Sequence, residues 1–295
     1  MQAYTCGAEV AMKSISRIIP TTTNHWVGDG FYVKPVFNDM AFTKEISPFL
    51  MFDYAAPKEF APSAKRRGVG VHPHRGFETV TIAFQGEVEH GDNQGNKDII
   101  GPGDVQWMTA GKGIIHEEFI SDRMTKSGGV LEMCQLWVNL PKKYKMTNPK
   151  YQAIFGKDIP SVSLSGDAGN VRIIAGSFDE ITGAASTWSP VDMWDVNINP
   201  SKSFEFMVAD GHNTLVFVRK GDPKVLDKTM KQESVALLSR EGKRVKIDAE
   251  KDQPAKILIL SGEPLDDPIA ARGPFVMNTQ EELRQAMIDY QSGKF

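Results

Sequence analysis

The sequence is short of several features that would have settled its class at once. It has two cysteines in 295 residues, Cys6 and Cys134, with no CxxC pair. Neither a disulfide framework nor a thiolate zinc cluster can be built from them, and a reducing, cytoplasmic setting is expected. No apolar run approaches the roughly 18 to 20 residues that span a bilayer. The first 25 residues carry Glu9, Lys13 and Arg17 and have no uninterrupted apolar core, so neither a secretion signal nor membrane association is expected. The 34 Lys and Arg stand against 37 Asp and Glu, which leaves no basic excess to neutralise a phosphate backbone, and direct nucleic-acid binding is not expected. With 41% hydrophobic residues, 26 Gly and 17 Pro, the chain is neither disordered nor of low complexity.

What is present is a succession of short apolar or alternating runs punctuated by Gly, Pro, Asn and Asp: Val80 to Phe84, Val130 to Leu140, Val171 to Ala175, Thr214 to Val218, Ser234 to Leu238 and Lys256 to Leu260. Turn signals fall at Asp92 to Gly95, Gly101 to Asp104 and Asp210 to Asn213. This pattern predicts strands joined by turns, an all-β fold of barrels or sandwiches, and the length suits two domains. The clearest helix is terminal: Thr279 and Glu282 form a capping box, and Leu283, Ala286, Met287 and Tyr290 make an apolar stripe that ends before Gly293. The polar, Pro-bounded stretch 141–150 reads as a linker between an N-terminal domain, 1–140, and a C-terminal domain, 151–295. The two halves share a loose rhythm of strands and turns. Five of the six histidines precede the linker and only His212 follows it.

Four of those histidines, His72, His74, His90 and His116, are crowded between residues 72 and 116. His72-Pro73-His74 is an HxH pair and His116-Glu117-Glu118 is an HxE pair. On a strand, residues i and i+2 share a face, so two such strands side by side bring three imidazoles and one carboxylate to a single ion. Mixed nitrogen and oxygen ligation suits Fe(II), Mn, Ni, Cu or Zn and leaves positions open for chemistry. Glu78 competes for the carboxylate role, but four extended residues from His74 span about 13 Å, so Glu118 is preferred as ligand. Glu78 and Glu117 are then expected behind the ligands, orienting an imidazole N–H. Phe77, Trp107, Met108 and Phe119 surround these motifs, and Phe77, Trp107 and Met108 are expected to shape a pocket for a flat aromatic ligand. His90, beside Gly91 in a predicted turn, and His212, in a loop, read as surface residues.

At these residues the chain resembles the pirin family of the cupin superfamily. The resemblance rests on Gly70-Val71-His72-Pro73-His74-Arg75-Gly76-Phe77-Glu78-Thr79-Val80, on Pro102 to Gly111 with its Gln106-Trp107-Met108-Thr109 core, and on His116-Glu117-Glu118. It extends to Pro48-Phe49-Leu50-Met51 and to Gly273-Pro274-Phe275-Val276-Met277-Asn278. It implies a bicupin: two cupin-type β-barrels with a short C-terminal helix, the first barrel holding one iron through His72, His74, His116 and Glu118, the second without metal ligands. It also implies an activity, quercetin 2,3-dioxygenase, in which a flavonol ring is opened with O2 and carbon monoxide is released. Glu118 would serve there as catalytic base as well as ligand. A small aromatic substrate and O2 are the implied partners, and a monomer is expected. The family also implies an alternative, a non-catalytic regulator in which the state of the iron governs binding to a transcriptional or metabolic partner.

Overall fold

The computed structural model describes residues 10–20, 22–38 and 43–295; Cys6 and Glu9 lie outside the described residues. The described residues of the first half form twelve strands: β1 (Ile15–Ile19), β2 (His25–Val27), β3 (Phe31–Phe37), β4 (Phe49–Phe60), β5 (Gly68–His74), β6 (Phe77–Gln85), β7 (Val88–Asp92), β8 (Lys97–Ile100), β9 (Val105–Thr109), β10 (Ile114–Ile120), β11 (Gly129–Asn139) and β12 (Lys150–Ile154). Two short helices, α1 (Thr43–Ile46) and α2 (Asp122–Ser127), lie among them. The second half continues with β13 (Ser161–Leu164), β14 (Gly169–Ala175), the small hairpin β15 (Ser177–Phe178) and β16 (Ile181–Thr182), β17 (Val191–Ile198) and β18 (Ser203–Met207). It is completed by β19 (Asn213–Lys220), β20 (Lys224–Val225), β21 (Lys228–Thr229), β22 (Val235–Leu238), β23 (Arg244–Asp248) and β24 (Ala255–Gly262). A tail of β25 (Ala270–Arg272), β26 (Phe275–Met277) and α3 (Gln280–Gln291) follows. Among the described residues no helix is long and apolar enough to cross a membrane.

These strands form two cupin-type units of the same plan. Each pairs a seven-stranded sheet with a four-stranded one: β12-β9-β6-β11-β4-β3-β2 with β5-β10-β7-β8, and β1-β22-β19-β24-β17-β14-β13 with β18-β23-β20-β21. The two large sheets pack against each other, and alternation along each strand divides its residues between this interface and the interior of its own unit. In β11, Cys134, Leu136 and Val138 enter the interface core with Phe52 and Tyr54 of β4, Val80 and Ile82 of β6, and Leu215, Phe217, Leu258 and Leu260 of the second unit. Cys134 is thus an inert, buried thiol. Across the same interface Arg219 Nη1 donates to Glu132 Oε1 at 2.9 Å, and Tyr54 Oη donates to the same oxygen at 2.7 Å.

The chain does not divide at the boundaries expected from sequence. β1, within 1–140, is an edge strand of the second unit's sheet, paired with β22, and β12, at 150–154, is an edge strand of the first unit's sheet, paired with β9. Each unit thereby borrows an edge strand from the stretch preceding the other. The expected linker 141–150 is also fixed. Lys145 is buried there and its Nζ donates to Gly76 O, Asn139 Oδ1 and Val276 O at 2.7, 2.7 and 2.8 Å. The tail leaves the second unit and docks on the first. α3 has the expected capping box and buries Leu283 and Ala286, which pack with Phe275, Met277 and Phe295; Met287, expected in the apolar stripe, is 37% exposed.

Candidate metal centre

The HxH and HxE pairs meet as neighbours. β5 and β10 are antiparallel with His72 opposite His116, and a bulge sets Gly70 and Val71 against the single residue Glu117, the local kink by which an added residue re-aims a strand. The ring centroids of His72, His74 and His116 are 4.2 to 4.9 Å apart, and one nitrogen from each lies within 4.8 Å of the others. His72 Nδ1 donates to Gly70 O at 2.8 Å and His74 Nδ1 faces Pro274 O at 3.4 Å. A carbonyl only accepts, so these contacts leave Nε2 of both rings free as lone-pair donors. Burial holds the His74 imidazole down at about 3, and burial with the neighbouring rings holds His116 well below its ordinary value; neutral imidazole is the form that binds a metal. Both nitrogens of His116 are buried without any hydrogen-bond partner. Such a group is rare in a folded protein, and an ion at the centre of the triad would engage one of the two nitrogens.

Glu118 stands beside this group rather than within it. It is buried two residues along β10 from His116, where its carboxylate accepts from Thr81 Oγ1 at 3.3 Å and from Gln135 Nε2 at 3.2 Å. Opposite it across β7 is His90, which is no surface residue. β7 continues to Asp92 before the chain turns, so His90 points inward, with its ring centroid 5.4 Å from that of His116. Gln106 Nε2 approaches His90 Nδ1 at 2.9 Å, and Nε2 lies 3.0 Å from Asp92 Oδ2. Both ring nitrogens are therefore engaged, and Tyr151 stacks on the ring at 4.7 Å. His212 lies in the loop expected for it, beside Ser261.

The surroundings differ in several places from the sequence reading. Phe77 does pack on His74, at 5.0 Å between ring centroids. Trp107 does not reach the site: β9 turns it into the core between the two large sheets. Met108 is on the inner face but buried with Ala110, Ile114 and Tyr151. Glu78 alternates with Phe77 and Thr79 and so faces away from the triad. Its Oε1 accepts from Thr109 Oγ1 at 2.7 Å, and burial pushes its carboxyl up to about 7. Glu117 lies on the outer face of β10, lining a surface groove with Val71, Asn93 and Lys97, and Phe119 is outside as well, beneath the Arg66 guanidinium.

The inner wall instead includes residues of β4 and β11. Trp137 lies 5.3 Å from His74 and 4.3 Å from Phe77. Met51 and Asp53 lie opposite Trp137 and Gln135 in register, which puts all four on the face that bears the Gln135 contact to Glu118. All four are half-buried, whereas the alternate residues Phe52, Tyr54, Cys134 and Leu136 are fully buried. These inward residues still reach solvent, so the interior beside the triad is open on this side, and further in it is closed by an apolar cluster that includes Phe31, Val33, Val88, Ile100, Ile120 and Met133. The i, i+2 alternation of Gln135 and Trp137 was the available signal for this wall.

Known proteins share this arrangement of sequence and fold. The family model for Pirin matches residues 30–138, and that for the Pirin C-terminal cupin domain matches residues 193–295. A Pseudomonas aeruginosa protein provisionally named quercetin 2,3-dioxygenase is 49% identical over 284 residues, covering 96% of this chain and 99% of its own. A pirin-like protein of Caulobacter vibrioides is 38% identical over 250 residues, 84% of this chain and 87% of its own. The crystal structure of a quercetin 2,3-dioxygenase from Acinetobacter baumannii matches with a TM-score of 0.93 at 48% identity, covering 97% of this chain and 99% of that one.

Proposed function

The chain belongs to the pirin family, and on that premise we propose that it is an iron-dependent dioxygenase of the quercetin 2,3-dioxygenase type. The observation that carries the reading is the three-imidazole cluster with the bare nitrogens of His116, set beside a wall of half-buried inward residues that includes Gln135 and Trp137. His72, His74 and His116 would hold the ion, with Glu118 as fourth ligand. Bound iron supplies Lewis acidity toward a chelating hydroxyl of the substrate and the redox chemistry that O2 requires.

The protein's own part is positioning and proton transfer. Glu118 takes the proton from the substrate hydroxyl, and the donors Thr81 and Gln135 keep its carboxylate oriented for that step. Trp137, half-buried and backed by the buried Phe77, offers a ring face against which a flat aromatic molecule packs. The apolar cluster at the closed end keeps water from that side of the site. The test is oxygen uptake and carbon monoxide release from quercetin by protein purified without added metal, with its metal content measured. Iron near one per chain with turnover is expected, and Glu118→Gln is expected to lower turnover about a hundredfold or more. Zinc in place of iron with no oxygen uptake would overturn the catalytic reading in favour of a regulatory protein that senses its metal.

A further inference from the structure

The wall beside the triad carries a carboxylate that neither metal binding nor the proton step uses. Asp53 lies directly opposite Gln135 on β11 and Pro35 on β3, so its side chain leaves the sheet on the face where the Gln135 amide reaches Glu118. Two residues away on that face, Met51 stands opposite Trp137. The alternate residues Phe52 and Tyr54 enter the core between the units, which fixes the assignment of faces.

Asp53 is half-buried, yet its Oδ1 is shielded from solvent and has no hydrogen-bond partner. Burial pushes its carboxyl up to about 6, and the exposed His25 is the charged group that acts in the opposite direction. A bare buried acceptor is costly to a fold, and retaining one without a donor is what a binding site does before its ligand arrives. The second unit has no bare counterpart: on the inward face of β17 Asp192 is followed by Trp194, Val196 and Ile198, and its Oδ1 accepts from Ser177 N at 3.1 Å.

We propose that Asp53 is a specificity-determining carboxylate, accepting a hydrogen bond from a hydroxyl of a polyhydroxylated aromatic substrate remote from the oxygens that meet the metal. This rests on the dioxygenase reading for the class of molecule bound beside the triad, and adds which members of that class are selected. A phenol donating to a carboxylate makes a charge-assisted hydrogen bond. A ligand without that hydroxyl leaves the carboxylate desolvated and unpaired, and sites built on a hydrogen bond reject such analogues strongly.

Two flavonols separate the contributions. Quercetin and 3-hydroxyflavone share the chelating 3-hydroxy-4-keto pair, and 3-hydroxyflavone lacks every other hydroxyl. Anaerobic binding of each to the metal-loaded protein is read from tryptophan fluorescence and from the visible absorption of the bound flavonol, without turnover. The wild type is expected to favour quercetin. Asp53→Asn and Asp53→Ala are expected to weaken quercetin roughly tenfold to a hundredfold and to leave 3-hydroxyflavone and the metal content unchanged. Their folding is checked by melting temperature, which loss of a bare buried carboxylate should not lower. If the wild type binds both flavonols and the ratio survives in both variants, the assignment of Asp53 is overturned and the dioxygenase reading stands. If the metal-loaded wild type binds neither, both fall together.

Discussion

The two units have one strand order and opposite contents. In the first, His116 pairs across to His72 and Glu118 to His90; at the corresponding places in the second, Val245 pairs to Phe206 and Ile247 to Val225. Four polar side chains stand where the other barrel has four apolar ones, and the second interior is a continuous core of Trp194, Phe204, Phe206, Val216, Val245, Ile257 and their neighbours. The difference shows how one frame serves two purposes. A filled barrel gains about 1.5–3 kcal/mol for each large side chain it buries. An open one forgoes that gain over part of its interior and carries unsatisfied imidazole nitrogens instead. Packing the two large sheets together lets the filled unit brace the open one.

A crossed pair of substitutions tests this division most severely. His116→Ala should abolish stoichiometric metal binding, together with the rise in melting temperature that added metal gives, because it removes one of the three clustered imidazoles. Phe206→Ala should lower stability by about 3–5 kcal/mol and leave metal per chain unchanged. Denaturant unfolding and metal analysis of both variants give the four readings. Loss of metal in the folded Phe206→Ala protein, or retention of one ion by His116→Ala, would break the comparison.

The meeting of His72, His74 and His116 was legible because its signal is local: i, i+2 spacing fixes a shared face whatever the rest of the fold does. The terminal helix was legible for the same reason, since its cap and its first buried positions are set within a few residues. The faces of β6 and β9 were not. Both strands are covered on two sides, by the barrel interior and by the neighbouring sheet, so both faces bear large or apolar residues and alternation does not say which is which. Trp107 and Glu78 were misplaced on that account. His90 was lost to a turn that begins two residues later than its Gly neighbour suggests. The exchanged edge strands β1 and β12 depend on pairings whose partners lie far away in the chain, or across the unit boundary, and no short-range pattern records them.

Glu78 sharpens the comparison from the outer side of the first sheet. Its folded carboxyl is raised to about 7 by burial, with the Thr109 hydroxyl partly opposing. A raised carboxyl contributes stability that is fully present below its unfolded value of about 4.5 and is lost as pH rises through about 7. Glu78→Gln should therefore leave stability nearly unchanged at pH 4.5 and raise it by about 1–3 kcal/mol at pH 8, which unfolding curves at the two pH values check. Because Glu78 faces away from the triad, the same variant should bind metal as the wild type does. A change in metal affinity would return it to the role expected from sequence.

The smallest effect concerns how far the two halves depend on each other. The tail belongs to the second half of the chain and yet holds the residue next to His74 of the triad. Arg75, adjacent to His74, is nearly buried; its Nη1 donates to Asp289 Oδ2 of α3 at 2.9 Å and its Nε donates to Lys112 O at 2.6 Å, while Phe295 covers the guanidinium. The backbone on either side is tied to the tail as well, through Arg75 N to Pro274 O and Val276 N to Arg75 O. Groups that orient ligands commonly change metal affinity by 10 to 100-fold when removed. Asp289 acts one step further back and leaves the Lys112 and Phe295 contacts in place, so Asp289→Asn should speed metal loss to a chelator by only about threefold to tenfold. The melting temperature of the metal-free protein should change little. An unchanged rate would mean that the first barrel holds His74 without help, and that the tail closes the fold without acting on the site.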